Sequence, residues 1–343
     1  MKAIVVPLDG SELAEQALPL AGAIATKRNA EVVLTTAVTA GDRWVDDGFV
    51  RQWESEEQAA VESYQRSIIE RLQQQGVHAK AHSDWGQPQA VIESVADREG
   101  AGLIVMTTHG RSGVSRWTLG SIADKVLRTT NTPLILIRPT AEAPVPEAVR
   151  QIVVALDGSD LAEAALPAAE RFAQAMDASL LLVRAVVPPT MLYGGQFVPG
   201  GLPVLDQLEA EAKQYLERTA ERIRKSGLKV GVAVAVGAAT DVILTASREI
   251  GADLIAMTTH GRSGLNRWIL GSVADAVVRH GGVPVLVIRS WPRLSDEAPE
   301  AIPVVGDVVV RPPVLTETEQ ATGSPRPRRG DVRPHRPERS PGR

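Results

Sequence analysis

The sequence repeats itself over the length of a domain. Residues 8–25 read LDGSELAEQALPLAGAIA, and residues 156–173 read LDGSDLAEAALPAAERFA. Residues 106–128, MTTHGRSGVSRWTLGSIADKVLR, return at 257–279 as MTTHGRSGLNRWILGSVADAVVR, identical at 17 of 23 positions. The offset is 148 between Asp9 and Asp157 and 151 between Gly110 and Gly261. The second copy therefore carries three extra residues, which the Gly/Pro-rich stretch from Pro188 to Pro203 accommodates. A unit of about 150 residues is a whole domain rather than a solenoid repeat. We expect a tandem duplication: domain 1 over 1–139, a linker over 140–149, domain 2 over 150–290 and a tail over 291–343.

Within each copy short apolar runs alternate with longer amphipathic stretches, the signature of βα units and a parallel sheet. In the first copy the expected strands are 3–8, 31–38, 77–83, 103–107 and 134–138, with helices over 12–27, 51–75, 87–99 and 121–130. The second copy repeats the order with strands at 151–156, 179–186, 228–236, 253–258 and 285–289. Ser11 and Ser159 are the expected N-caps, each followed by an acid that suits the positive helix start. Pro19 and Pro167 fall inside the first helix of each copy, where a kink is expected. The fifth runs, LILIR and VLVIR, are apolar on both faces. Left as edge strands they would be aggregation hazards unless covered, either by pairing with one another or by the helices of their own domain.

The 44% hydrophobic content is that of a globular chain with real cores. No apolar run is long enough to span a bilayer, and the N-terminus enters a strand pattern too early for a signal peptide. With no cysteine, thiolate metal sites and cysteine catalysis are excluded, and a cytoplasmic location is expected. The net charge of −4 hides an asymmetry. From Arg326 onward seven Arg oppose Asp331 and Glu338, so that this segment carries +5 and the rest −9. A mildly acidic body argues against a folded nucleic-acid binder. The Pro/Arg-rich tail has the composition of a disordered segment, apart from the apolar run at 304–310.

Open parallel sheets bind ligands beyond the carboxyl ends of their strands. Asp9 and Asp157 end the first strand, Val38 and Val186 end the second, and the THGRSG loop follows the fourth. That loop runs from Thr107 through His109, Gly110 and Arg111 to Gly120-Ser121 at a helix start, where unpaired N–H groups favour phosphate. It is not a Walker A loop, because no Gly-Lys-Ser/Thr follows, and it is not a G-x-G-x-x-G fingerprint.

Asp9 in PLDGSE, with Gly110, nine residues and then Gly120-Ser121, resembles the universal stress protein family; Asp157 in ALDGSD, Gly261 and Gly271-Ser272 repeat the pattern. The resemblance implies two Rossmann-like α/β domains of strand order 3-2-1-4-5, paired through their fifth strands within one chain, that bind ATP or another adenine nucleotide. Carried over by position, Asp9 and Val38 meet the base and ribose, and Pro7 is expected at the same site. Met106, Thr107, His109, Gly110, Arg111, Gly120, Ser121 and Ile122 line the sugar and phosphates. The matching positions of the second copy are Asp157, Val186, Met257, Thr258, His260, Gly261, Arg262, Gly271, Ser272 and Val273. One departure stands out. The family's pattern begins with a glycine three residues before Gly110, where this chain has Thr107, and Thr258 in the second copy. A β-branched residue narrows the approach there; it supplies a hydroxyl instead, or the pocket suits a smaller nucleotide.

Each of these residues also has a plainer role. Asp9 and Asp157 suit the cap of a turn, His109 and His260 a hydrogen bond within their loop, and Arg111 and Arg262 solvated surface charge. No His/Asp/Glu cluster has metal-ligand spacing, so Mg²⁺ is expected only with the nucleotide's phosphates. The function expected from the resemblance is nucleotide-dependent interaction with a protein partner in stress response, with a homodimer beyond the intrachain pair as a further possibility. The alternatives are a slow ATPase, for which a P-loop lysine and a water-positioning carboxylate are missing, and an interaction module without nucleotide. Neither membrane nor nucleic acid is an expected partner.

Overall fold

The computed structural model describes residues 1–39, 47–109, 119–138, 146–188, 201–259 and 270–289. Met1–Arg293 form one compact unit, and the 291–343 tail, with its apolar run, lies outside the described residues. The first copy runs β1 (Ala3–Pro7), α1 (Glu12–Glu15), α2 (Leu18–Arg28), β2 (Glu31–Val38), α3 (Asp47–Gln74), β3 (Ala79–Trp85), α4 (Pro88–Arg98), β4 (Leu103–Thr107), α5 (Ser121–Thr129) and β5 (Leu134–Ile137). The second runs β6 (Gln151–Ala155), α6 (Asp160–Glu163), α7 (Leu166–Met176), β7 (Ser179–Val186), α8 (Gly201–Arg224), β8 (Val230–Val236), α9 (Ala239–Glu249), β9 (Leu254–Thr258), α10 (Ser272–His280) and β10 (Val285–Ile288).

All ten strands join one sheet in the order β3-β2-β1-β4-β5-β10-β9-β6-β7-β8, so each half shows the expected 3-2-1-4-5 order. Every pairing is parallel except the central one, where β5 meets β10 antiparallel with Ile135 opposite Leu286. Both residues are almost fully buried. Helices cover both faces: α2, α3, α7 and α8 pack on one, and α4, α5, α9 and α10 on the other. The expected pairing of the fifth strands is thus what joins the halves. Two arginines reinforce it reciprocally. Arg138, just after β5, donates to the Arg279 carbonyl of α10, and Arg289, just after β10, donates to the Thr129 carbonyl of α5 at 3.0 Å. Each covers carbonyls at a helix C-terminus, where a cation also complements the dipole.

Two expectations need correction. The first helix of each copy is not one kinked helix but two. Pro19 sits in the first turn of α2 and Pro167 in that of α7, where a missing N–H costs nothing. The third strand begins at Ala79 rather than at residue 77, because the Val77 N–H instead closes the end of α3 on the Leu72 carbonyl at 2.9 Å. Its counterpart begins at Val230 rather than 228. At the end of the expected linker Val149 is 1% exposed and belongs to the core. Pro203 lies within α8, while 189–200 fall outside the described residues.

Candidate functional site

The carboxyl ends of β1, β2 and β4 open onto a cleft of ≈ 390 Å³ in the first copy. The equivalent strands of the second copy open onto a cleft of ≈ 480 Å³. The parallel order explains their place: β1 lies between β2 and β4, so the loops leaving it diverge and leave a crevice.

In the first cleft Pro7 and Asp9 come from the end of β1 and Val38 from β2. Met106, Thr107 and His109 come from β4 and its loop, and Gly120, Ser121 and Ile122 from the start of α5. In the second cleft Asp157, Val186, Met257, Thr258, Gly271, Ser272 and Val273 stand in the same places. The described candidates of each copy therefore surround a single cleft. Gly110, Arg111, His260, Gly261 and Arg262 lie outside the described residues.

Asp9 organises the turn after β1. Its Oδ1 accepts from the Ser11 N–H at 3.1 Å and from the Ser11 hydroxyl at 2.6 Å. The Ser11 hydroxyl in turn accepts from the Ala14 N–H and caps α1. Asp157 and Ser159 repeat the arrangement at 2.9 and 2.6 Å. The turn passes through Gly10 and Gly158, whose φ of 81° and 84° favours glycine. The aspartate thus has the plainer structural role and faces the cleft as well.

The helix starts at the other wall have no side-chain cap. Gly120 precedes α5 and Gly271 precedes α10, each as an N-cap without a side-chain bond. Their own N–H groups donate to the carbonyls of Thr108 and Thr259 at 2.9 and 2.8 Å. A Cβ on Gly120 would run into that Thr108 carbonyl, so close packing of loop on strand is what requires glycine there. The Thr107 hydroxyl donates to the His109 carbonyl at 2.7 Å. It braces the loop, and toward a ligand it offers lone pairs. His109 shares a hydrogen bond between Nδ1 and the Thr108 hydroxyl at 3.0 Å. Its Nε2 is buried with no hydrogen-bond partner among the described residues, and so is the Thr35 hydroxyl in the same cleft. Leaving such a group unpaired costs about 1–3 kcal/mol, which a polar ligand atom would recover.

Behind each cleft a tyrosine ties the long helix to the short one. Tyr64 on α3 donates to Glu15 at 3.1 Å, and Tyr215 on α8 donates to Glu163 at 2.9 Å. Burial, and then the adjacent glutamate, push both phenols well above their ordinary value. They stay protonated donors across the working pH range.

Thr35, Thr36 and Glu57 in the first cleft, and Arg184 and Leu208 in the second, also line the walls without having been singled out from sequence. The only signal was polar residues within largely apolar strands, Thr35 and Thr36 in β2 and Arg184 in β7.

Residues 1–138 and 148–289 each match the model of the universal stress protein family. The chain belongs to this family, with two copies of its domain. The universal stress protein YxiE of Bacillus subtilis is 32% identical over 145 residues, 40% of this chain and 98% of that protein. A universal stress protein of Methanocaldococcus jannaschii is 30% identical over 142 residues, 41% of this chain and 82% of that protein. Among solved structures, a universal stress protein from Archaeoglobus fulgidus DSM 4304 superposes with a TM-score of 0.62 at 21% identity. That match covers 84% of this chain and 98% of the other, so the fold extends over both universal stress protein copies.

Proposed function

We propose that both clefts bind an adenine nucleotide and that occupancy alters the surface offered to a protein partner during stress. The observation that carries this reading is the cleft itself, which gathers a strand-end carboxylate and an uncapped helix start in each copy. An uncapped helix N-terminus is an anion site by its N–H groups and dipole. The His109 Nε2, without a partner among the described residues, is a second, independent feature that suits a phosphate or ribose oxygen. Among the described residues no group of three His, Cys, Asp or Glu could hold a metal, so a divalent cation would be carried by the phosphates.

Calorimetry of the full chain with ATP, ADP and AMP tests the proposal. Binding is expected, and Ser121→Asp with Ser272→Asp should abolish it by placing a negative charge at each helix start. No binding to the wild-type chain at millimolar nucleotide overturns it. The hydroxyl of Thr107, spent on the His109 carbonyl rather than offered as a phosphate donor, favours a second reading: an interaction module without nucleotide. Nucleotide released by mild denaturation of the purified protein would exclude that alternative.

A further inference from the structure

The two copies keep the same helix-start cradle but differ in the charge of the opposite wall. By the offsets of the repeat, Thr36 corresponds to Arg184 and Glu57 to Leu208. The charged residues lining the described part of the first cleft are Asp9 and Glu57; in the second they are Asp157 and Arg184. The loop sequences THGRSG are identical in both copies and leave this difference unchanged.

The placement of Arg184 matters as much as its sign. Its guanidinium carbon lies 5.1 Å from the centroid of the Tyr215 ring. A Cβ built on Gly158 would come within 2.9 Å of its Nη1, so the guanidinium rests against the glycine that follows Asp157. Gly158 follows β6, and β6 lies between β7 and β9. The side chain therefore reaches from β7 to the loop after β6, at the rim of the cleft that Gly271 and Ser272 also line. In the first copy the same position is the buried Thr36 hydroxyl, which accepts from Gln65 at 3.1 Å.

We propose that the second cleft is the polyphosphate site of the pair, with Arg184 as its specificity determinant, and that the first cleft favours ligands of lower charge. The inference rests on the nucleotide reading above and deepens it. Arginine holds a fixed positive charge and donates in a planar fork suited to phosphate oxygens. Glu57 would repel the same groups across the first cleft.

The test compares ATP with adenosine by calorimetry on full-length single-cleft chains, Ser121→Asp leaving the second cleft and Ser272→Asp the first, each combined with Val38→Trp or Val186→Trp in the closed cleft so that uncharged adenosine is shut out as well. The ratio of ATP affinity to adenosine affinity should be on the order of tenfold higher for the second cleft. On the Ser121→Asp background, Arg184→Met should lower ATP affinity by about tenfold and leave adenosine unchanged, while Arg184→Lys restores most of the loss. Should Arg184→Met fail to fold, Glu57→Leu on the Ser272→Asp background decides: it should raise ATP affinity and spare adenosine. Equal ratios in the two clefts, parallel loss of ATP and adenosine in Arg184→Met, or no response to Glu57→Leu each overturn this inference alone. Failure of the wild-type chain to bind either ligand overturns the nucleotide reading together with it.

Discussion

In the first copy Gln65 is buried at 3% exposure and gives its amide to the Thr36 hydroxyl and the His82 carbonyl. Its counterpart in the second copy is Leu216, fully buried in the apolar core, and there Arg184 stands for Thr36. Side chains in this wall have changed as a set, because a buried amide is tolerated only with its partners in place. The outer strands differ in the same way. On β3, Lys80 bridges Glu31 at 2.9 Å and Glu99 at 2.6 Å, and His82 meets Glu99 at 2.8 Å. β8, at the other end of the sheet, reads VGVAVAV without a charge and leaves Val236 exposed. Duplication has kept the helix-start glycines and allowed the periphery to diverge.

Exchanging residues between the copies shows how deep this divergence goes. Leu216→Gln should be the most damaging, at about 3 kcal/mol or more, since it removes buried apolar area and strands an amide. The urea midpoint measures it, and a loss below about 1 kcal/mol would mean that the second wall already holds polar partners. Gly120→Ala and Gly271→Ala should each cost about 2 kcal/mol by forcing loop and strand apart; unequal costs would show that the shared cradle has diverged too. The reverse exchange, Gln65→Leu, should cost only about 1 kcal/mol, because it removes a buried amide while depriving Thr36 of its donor.

The smallest effect is set by pH. Hydrogen bonds from Lys80, and then from His82, hold the Glu99 carboxyl below the usual range. Its contribution is present above the unfolded value of about 4.3 and is lost as pH falls through the lower folded value. The same cluster raises the Lys80 pKa, mainly through Glu99 and then Glu31; that contribution is lost only in strong alkali. Glu99→Gln should therefore flatten the acid limb of melting temperature against pH, by little, because exposed pairs are weak. An unchanged acid limb would remove this cluster from the contrast between the edges.

The duplication, the strand-end position of Asp9 and the helix-start position of Gly120 and Ser121 were legible from local pattern and a repeated motif, and the sheet order followed from the family resemblance that the motif carries. Arg184, Glu57 and Thr35 were not. Their place in a cleft follows from how β2 and α3, or β7 and α8, pack at long range, and a single acid on a helix rich in acids carries no mark of what it faces. The breaks at Pro19 and Pro167 were hidden for a related reason. The apolar period runs on through the gap between α1 and α2, so only the backbone reveals that the proline starts a helix instead of bending one.

The antiparallel meeting of β5 with β10 has a consequence for how the two clefts relate. It turns every strand of one half against every strand of the other, so the two mouths look out from opposite rims of the sheet. The central seam of β5 and β10 stands between the two clefts, which face away from each other.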